Sequence, residues 1–182
     1  MKLSFFTNKI KTRLKKALVV TATVLTALAG ANFTALPANA ALSYNFTTWT
    51  FTSCGATGST KPTLAMCQSA YSASSFASNS SYFTVDSLGQ QWFKPPVAGN
   101  YKIEFAGAGG GGSNGGRGEV FQTLVSLNST YFSCLVIGQK GQADTLSADS
   151  GGGGGATYLS PDIGTTAGST SCLNIPNYTA GG

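Results

Sequence analysis

Apolar and polar residues alternate strictly in the middle of this chain. Tyr101, Ile103 and Phe105 are interleaved with Lys102 and Glu104, the period of a strand with one face buried. Upstream, residues 45–52 (NFTTWTFT) are aromatic and β-branched and predict a first strand. Leu64, Cys67, Gln68 and Tyr71 follow helical spacing and predict a short helix of about three turns. Thr60 is its expected N-cap, with Pro62 in the first turn. Residues 72–81 read as a polar loop. Residues 82–85 and 90–93 read as short strands around a turn at 86–89. Beyond the alternating strand, residues 119–127 and 131–137 predict two more strands about the turn Asn128-Ser129-Thr130. Residues 139–150 read as a polar loop, 156–160 as a strand, and the tail from Pro161 as turn-rich.

Two glycine tracts interrupt this β pattern. The first is Gly107-Ala108-Gly109-Gly110-Gly111-Gly112, continued by Gly115, Gly116 and Gly118; the second is Gly151, Gly152, Gly153, Gly154 and Gly155. Polyglycine in isolation behaves as a flexible linker. These runs instead abut hydrophobic strands, where the absence of a side chain lets backbones approach closely. The expectation is therefore an ordered glycine structure carried on a β support.

The N-terminus reads as an export leader. Lys2, Lys9, Lys11, Arg13, Lys15 and Lys16 form a basic region, residues 17–31 are an apolar stretch, and Ala38-Asn39-Ala40 is a small-x-small cleavage site. The apolar stretch is short for a membrane span, which needs roughly 20 residues. The expected organisation is a signal peptide over 1–40, an N-terminal strand and helix segment over 41–100, and the glycine-rich part over 101–182. The leader also explains the net charge of +5. The remainder carries Lys61, Lys94, Lys102, Arg117 and Lys140 against all six acids, a net charge of −1. No clustered basic surface remains to suggest nucleic-acid binding, and no membrane insertion is expected after cleavage.

Cys54, Cys67, Cys134 and Cys172 all lie beyond the leader. An even number in an exported chain implies disulfides, and their order favours Cys54–Cys67 with Cys134–Cys172 among three possible pairings. A zinc site is disfavoured: there is no CxxC pair and no histidine.

Other chemistry finds little support. Residues 107–112 match the GxGxxG dinucleotide fingerprint literally, but the following Ser-Asn-Gly-Gly-Arg-Gly opposes the helix that must hold a pyrophosphate. No cofactor is expected. Without histidine the usual catalytic triads are excluded. Asp144 and Asp149 offer a weak calcium site or, more simply, two solvated carboxylates. Asp86 and Asp162 read as turn residues. No spacing argues for a carboxylate pair of the glycosidase kind. Asn45, Asn79, Asn128 and Asn177 open glycosylation sequons.

From Tyr101 onward the chain resembles the glycine-rich extracellular domain of the anaplastic lymphoma kinase and leukocyte tyrosine kinase receptors. The resemblance rests on YKIEFAGAGGGG, GGRGEVFQTLVSL, CLVIGQKGQ and GGGGGATYLS. The segment FTSCGATGSTKPTLAMCQSAY through QQWFKPPVAGNYKI is similar to microbial and viral proteins with the same domain. The resemblance implies a mainly β fold: a β-sandwich-like support carrying left-handed, threefold glycine helices that bond sideways to one another. It also implies a third glycine run, for which residues 172–180 would be the lead-in strand and Gly181-Gly182 the start, as if the chain stopped mid-domain. Kinase activity does not carry over, because no kinase glycine loop, VAIK-like lysine, HRD or DFG is present.

The expected function is a secreted or surface-displayed recognition module for an extracellular protein or glycan, without enzymatic activity. A structural or adhesive layer protein and, less favoured, a secreted hydrolase are the alternatives. Exported protein is expected to begin at Ala41 by N-terminal sequencing, and membrane-held material starting at Met1 would contradict the leader.

Overall fold

The alternating segments assemble into two antiparallel sheets in a computed structural model, which describes residues 1–5, 47–145, 151–168, 172 and 178–182. The apolar stretch and cleavage site of the leader, Asn45, Asp149 and Asn177 lie outside the described residues. The strands are β1 (Lys2–Phe5), β2 (Thr48–Thr50), β3 (Phe83–Val85), β4 (Gln91–Phe93), β5 (Gly99–Ala106), β6 (Val120–Leu127), β7 (Phe132–Val136), β8 (Thr157–Gly164) and β9 (Tyr178–Ala180). One sheet has the order β2-β1-β5-β6 and the other β3-β4-β7-β8-β9.

The alternation in β5 does what its period implies. Tyr101, Ile103 and Phe105 are buried, while Lys102 and Glu104 are only partly covered. They share one core with Leu3, Val125 and Leu127 of the same sheet and with Phe83, Phe93, Leu135, Leu159 and Ala180 of the other. The opposite face of the second sheet is covered as well. There Trp92, Phe132 and the Cys134–Cys172 disulfide form a smaller cluster.

Among the described residues one α-helix forms, α1 (Leu64–Ala70), at one end of the core. Its N-cap is Thr63, not Thr60: Thr63 is extended and its hydroxyl accepts the Met66 N–H at 3.3 Å. The helix is therefore shorter than its periodicity suggested, with Pro62 just ahead of it. Cys67, fully buried, bonds to Cys54. Both disulfides pair as expected. Their separations of 13 and 38 residues correspond to about 3 and about 4 kcal/mol in the chain-entropy account.

Two segments depart from the sequence reading. Residues 72–81 are not simply a polar loop, because a 3-10 helix over Ser75–Ser78 drives Phe76 fully into the core. Phe76 meets the rings of Trp49, Phe83 and Phe93 at 5.1, 5.6 and 5.6 Å. One aromatic side chain recruits an otherwise polar segment, since burying it removes a large apolar area from water. Secondly, β8 runs on through Pro161 to Gly164. Its register against β7 shifts between Phe132 and Cys134, and its pairing with β9 stops at Thr157–Leu159. Pro161 thus occupies a bulge where no ladder N–H is required. Asp162, expected in a turn, sits in this bulge at φ 49° and accepts the Asn128 N–H at 2.9 Å.

Tyr71 ties the helix, the segment after β2 and the second sheet together. Its hydroxyl lies 2.9 Å from the Thr52 N–H and 2.8 Å from Gln91 Oε1, and Gln91 Nε2 donates to the Thr52 carbonyl at 2.7 Å. Desolvation by burial raises the Tyr71 pKa above its ordinary value of 10.0, against the lowering effect of its Thr52 and Gln91 hydrogen bonds. A tyrosine whose folded pKa is raised contributes stability that is complete below the unfolded pKa and is lost as pH rises through the folded one. Tyr71→Phe is therefore expected to lower stability at neutral pH by about 1–3 kcal/mol. It should also flatten the loss of stability above about pH 10, both read from denaturant midpoints. An unchanged alkaline limb would contradict the role given to Tyr71.

Candidate functional site

Five strands open onto one backbone-built feature. β5 runs into residues 107–112, and residues 115–118 run into β6. β7 ends in residues 138–142, residues 151–155 enter β8, and β9 ends in residues 181–182. These five segments bond sideways. The Ala108 N–H donates to the Gly155 carbonyl at 3.0 Å, Gly111 to Gly152 at 2.8 Å, and Gly141 to Gly109 at 3.0 Å. Gly152 donates to Gln142 at 2.8 Å, Gly155 to Gln139 at 2.9 Å, and Gly110 to Gly116 at 2.9 Å. Gly107 donates to Glu119 at 2.8 Å, and Glu119 in turn to Gly181 at 2.9 Å. The structure thus brings both predicted tracts together and joins them to two further segments.

Close approach explains the glycines position by position. A Cβ on Gly107 would stand 1.7 Å from the Gly181 carbonyl oxygen, and one on Gly111 would stand 2.2 Å from that of Gln142. Gly115 and Gly118 would meet the Gly110 and Gly107 oxygens at 2.3 and 2.2 Å. Gly151 would meet the Gly111 carbonyl carbon at 2.5 Å, and Gly154 the Ala108 oxygen at 1.9 Å. Gly155 is tight against the Gln139 nitrogen at 3.0 Å. Gly109 is equally tight at 3.0 Å from the Gly116 oxygen, and Gly110 is less so at 3.3 Å from the Gly115 Cα. The tracts are not uniformly required, however. Gly116 and Gly153 face open space, and Gly152 is in ordinary contact at 3.8 Å. Gly112 has a different reason, a φ of 76° that disfavours a side chain.

Sequence reasoning missed the segment 138–142, which it assigned in part to a polar loop. A Cβ on Gly138 would stand 2.0 Å from the Gly155 oxygen, and on Gly141 1.9 Å from the Gly152 oxygen. The signal was present in the spacing. Gly138 and Gly141, Gly115 and Gly118, and Gly151 and Gly154 are each three apart, while Gln139, Lys140 and Arg117 are tolerated between them.

A groove of about 520 Å³ lies along this surface, lined by Gly58, Ser59, the run from Val136 to Gln142, and Gly152 to Ala156. That volume is within the usual range for ligand sites, about 300–1,000 Å³. Its rim is joined to the helix side of the fold by Gln139, whose amide donates to the Thr60 carbonyl at 2.8 Å. Gly58, at φ 61°, lies so close to the Gln142 side chain that a Cβ would approach it to 2.5 Å. The groove offers backbone N–H and C=O groups, the amides of Gln139 and Gln142, the Ser59 hydroxyl and the exposed Lys140.

The remaining sequence candidates take structural positions. Asp86 accepts the Leu88 and Gln90 N–H groups at 2.8 and 3.0 Å and the Trp92 indole N–H at 2.9 Å. Asp144 lies in a neighbouring hollow with Gly112, Lys140 and Gly141. Among the described residues no three His, Cys, Asp or Glu side chains come together as metal ligands, and no helix is long and apolar enough to cross a membrane. The chain matches no protein-family model and no curated protein.

Gly141→Ala and Gly154→Ala are expected to destabilise the protein by about 1–3 kcal/mol or more, because backbone must move to admit the methyl group. Gly116→Ala and Gly153→Ala should stay within about 0.5 kcal/mol of wild type. Thermal melts of all four variants check this. Equal effects at the crowded and open positions would contradict the packing described.

Proposed function

We propose that this chain is an exported, glycine-rich recognition module that presents a rigid backbone surface to an extracellular protein or glycan. One observation carries the reading: five chain segments, drawn from both sheets, are cross-bonded through their backbones into one surface with a groove on it. The three-residue glycine spacing supports threefold, polyglycine-type helices laid side by side on a β-sandwich-like support. It is also the physical content of the resemblance to the glycine-rich domain of the anaplastic lymphoma kinase and leukocyte tyrosine kinase receptors. Two disulfides are compatible with an extracellular setting. The groove supplies fixed donors and acceptors whose ordering cost is met during folding, which favours binding by pre-organisation.

A structural or adhesive layer is the second reading. The observation that favours it is β6, an edge strand of eight residues that exposes Val120 and Leu124. Such an edge is a template for association between copies unless it is covered.

Glycan and extracellular-protein arrays probed with purified protein separate the two. The recognition reading expects saturable binding that Lys140→Ala or Ser59→Ala weakens without moving the melting temperature. Absence of any binder, together with concentration-dependent self-association lost in Leu124→Lys, would replace it with the layer reading.

A further inference from the structure

One strand position of the first sheet is filled from the start of the chain. β1 lies between β2 and β5, antiparallel to both, with Leu3 opposite Trp49 on one side and Ile103 on the other. In the strand order, β2 and β5 meet only through β1. Leu3 is 1% exposed and belongs to the core shared by the two sheets. Met1 extends the ladder: its carbonyl accepts the Phe51 N–H at 2.8 Å and its ammonium donates to the Phe51 carbonyl at 3.0 Å. Lys2 stands opposite Glu104.

These same residues open the stretch that reads as an export leader. Cleavage after Ala40 takes them away. What remains between β2 and β5 is a slot one strand wide, with about 10 Å between its walls, twice the normal strand spacing. Both walls then carry unpaired N–H and C=O groups, and the position of the Leu3 side chain is an apolar hole. Backbone groups in that state require partners.

We propose that the slot between β2 and β5 is a strand-acceptor site: in the processed protein it takes one extended segment of a partner polypeptide, and in the precursor residues 1–5 plug it. The occupant runs antiparallel to both walls. It places an apolar side chain at the level of Trp49 and Ile103 and a cation opposite Glu104, because that is the chemistry of the segment seated there. Main-chain bonds supply affinity and the side-chain hole supplies specificity, as in other cases of strand addition. A two-walled slot offers both sets of bonds, where a sheet edge offers one. The proposal rests on the reading of the chain as exported and cleaved.

The test uses the full-length precursor, the exported product, and a fluorescent peptide of residues 1–7 (MKLSFFT) with its Leu3→Asp version. Product that begins at Ala41 should bind MKLSFFT saturably, and the Leu3→Asp peptide should bind more weakly by about tenfold or more. The precursor, already plugged, should bind neither. If the product is unfolded alone, recovery of its β-sheet circular dichroism with MKLSFFT but not with the Leu3→Asp peptide supports the slot equally. Product beginning at Ala41 that ignores both peptides, or binds both alike, overturns the acceptor site and leaves the export reading intact. Export of chains that retain Met1 overturns the cleavage reading and the acceptor site with it, because the plug never leaves.

Discussion

Backbone-to-backbone contact between glycine segments is the constraint on which this structure depends. These segments bond to one another through their backbones, so their N–H and C=O groups find partners in neighbouring segments. Those partners come within reach only where no Cβ intervenes. Gly107, Gly111, Gly115, Gly118, Gly138, Gly141, Gly151 and Gly154 all stand where a Cβ would fall within 3 Å of another segment's backbone. The composition of the tracts follows from this geometry, and so does their placement. Each segment is continuous with a strand, so the sheets hold its end in position.

The support below is built to hold those ends still. Leu3, Ile103 and Phe105 meet Phe93, Leu135 and Leu159 in one core. Tyr71 packs edge-to-face on Phe51, and Phe76 lies tilted against both, around the helix end of it. The two disulfides pin the helix to the segment after β2 and the tail to β7. Fixed strand ends make a fixed lattice, and a fixed lattice presents its groove without a further ordering cost. That is the link between the fold and the recognition role we propose. Lys140 and Gln142 add side-chain chemistry to a surface otherwise lined largely by glycine backbone.

The first sheet ties this platform to the history of the chain. Its second position is occupied by residues 1–5, whose sequence also reads as the start of a leader. On the export reading proposed above, folding and processing compete for the same residues. A strand held by two ladders and by Leu3 in the core resists removal, and a slot left by its removal demands a replacement.

Much of the fold was legible because its signals are local. The alternation of residues 101–105, the short strands at 82–85 and 90–93, the two-strand run 119–137 and the cysteine order each predicted what is found. Local signals failed at three places, each for its own reason. Phe76 draws a serine-rich segment into a helix turn, Thr63 takes the cap from Thr60, and a bulge carries β8 past Pro161. Within the tracts the sequence pointed to close backbone approach, because glycines set against strands carry no side chain to hold neighbouring segments apart. It did not determine which glycines are crowded. Gly153 and Gly154 are indistinguishable as letters, yet one faces open space and the other lies 1.9 Å, measured from an added Cβ, from the Ala108 oxygen. That difference belongs to segments brought together from 45 or so positions apart in the chain. So does the seating of Leu3 between Trp49 and Ile103. Periodicity along a chain specifies which face of a segment is buried, but only the meeting of segments specifies what it is buried against.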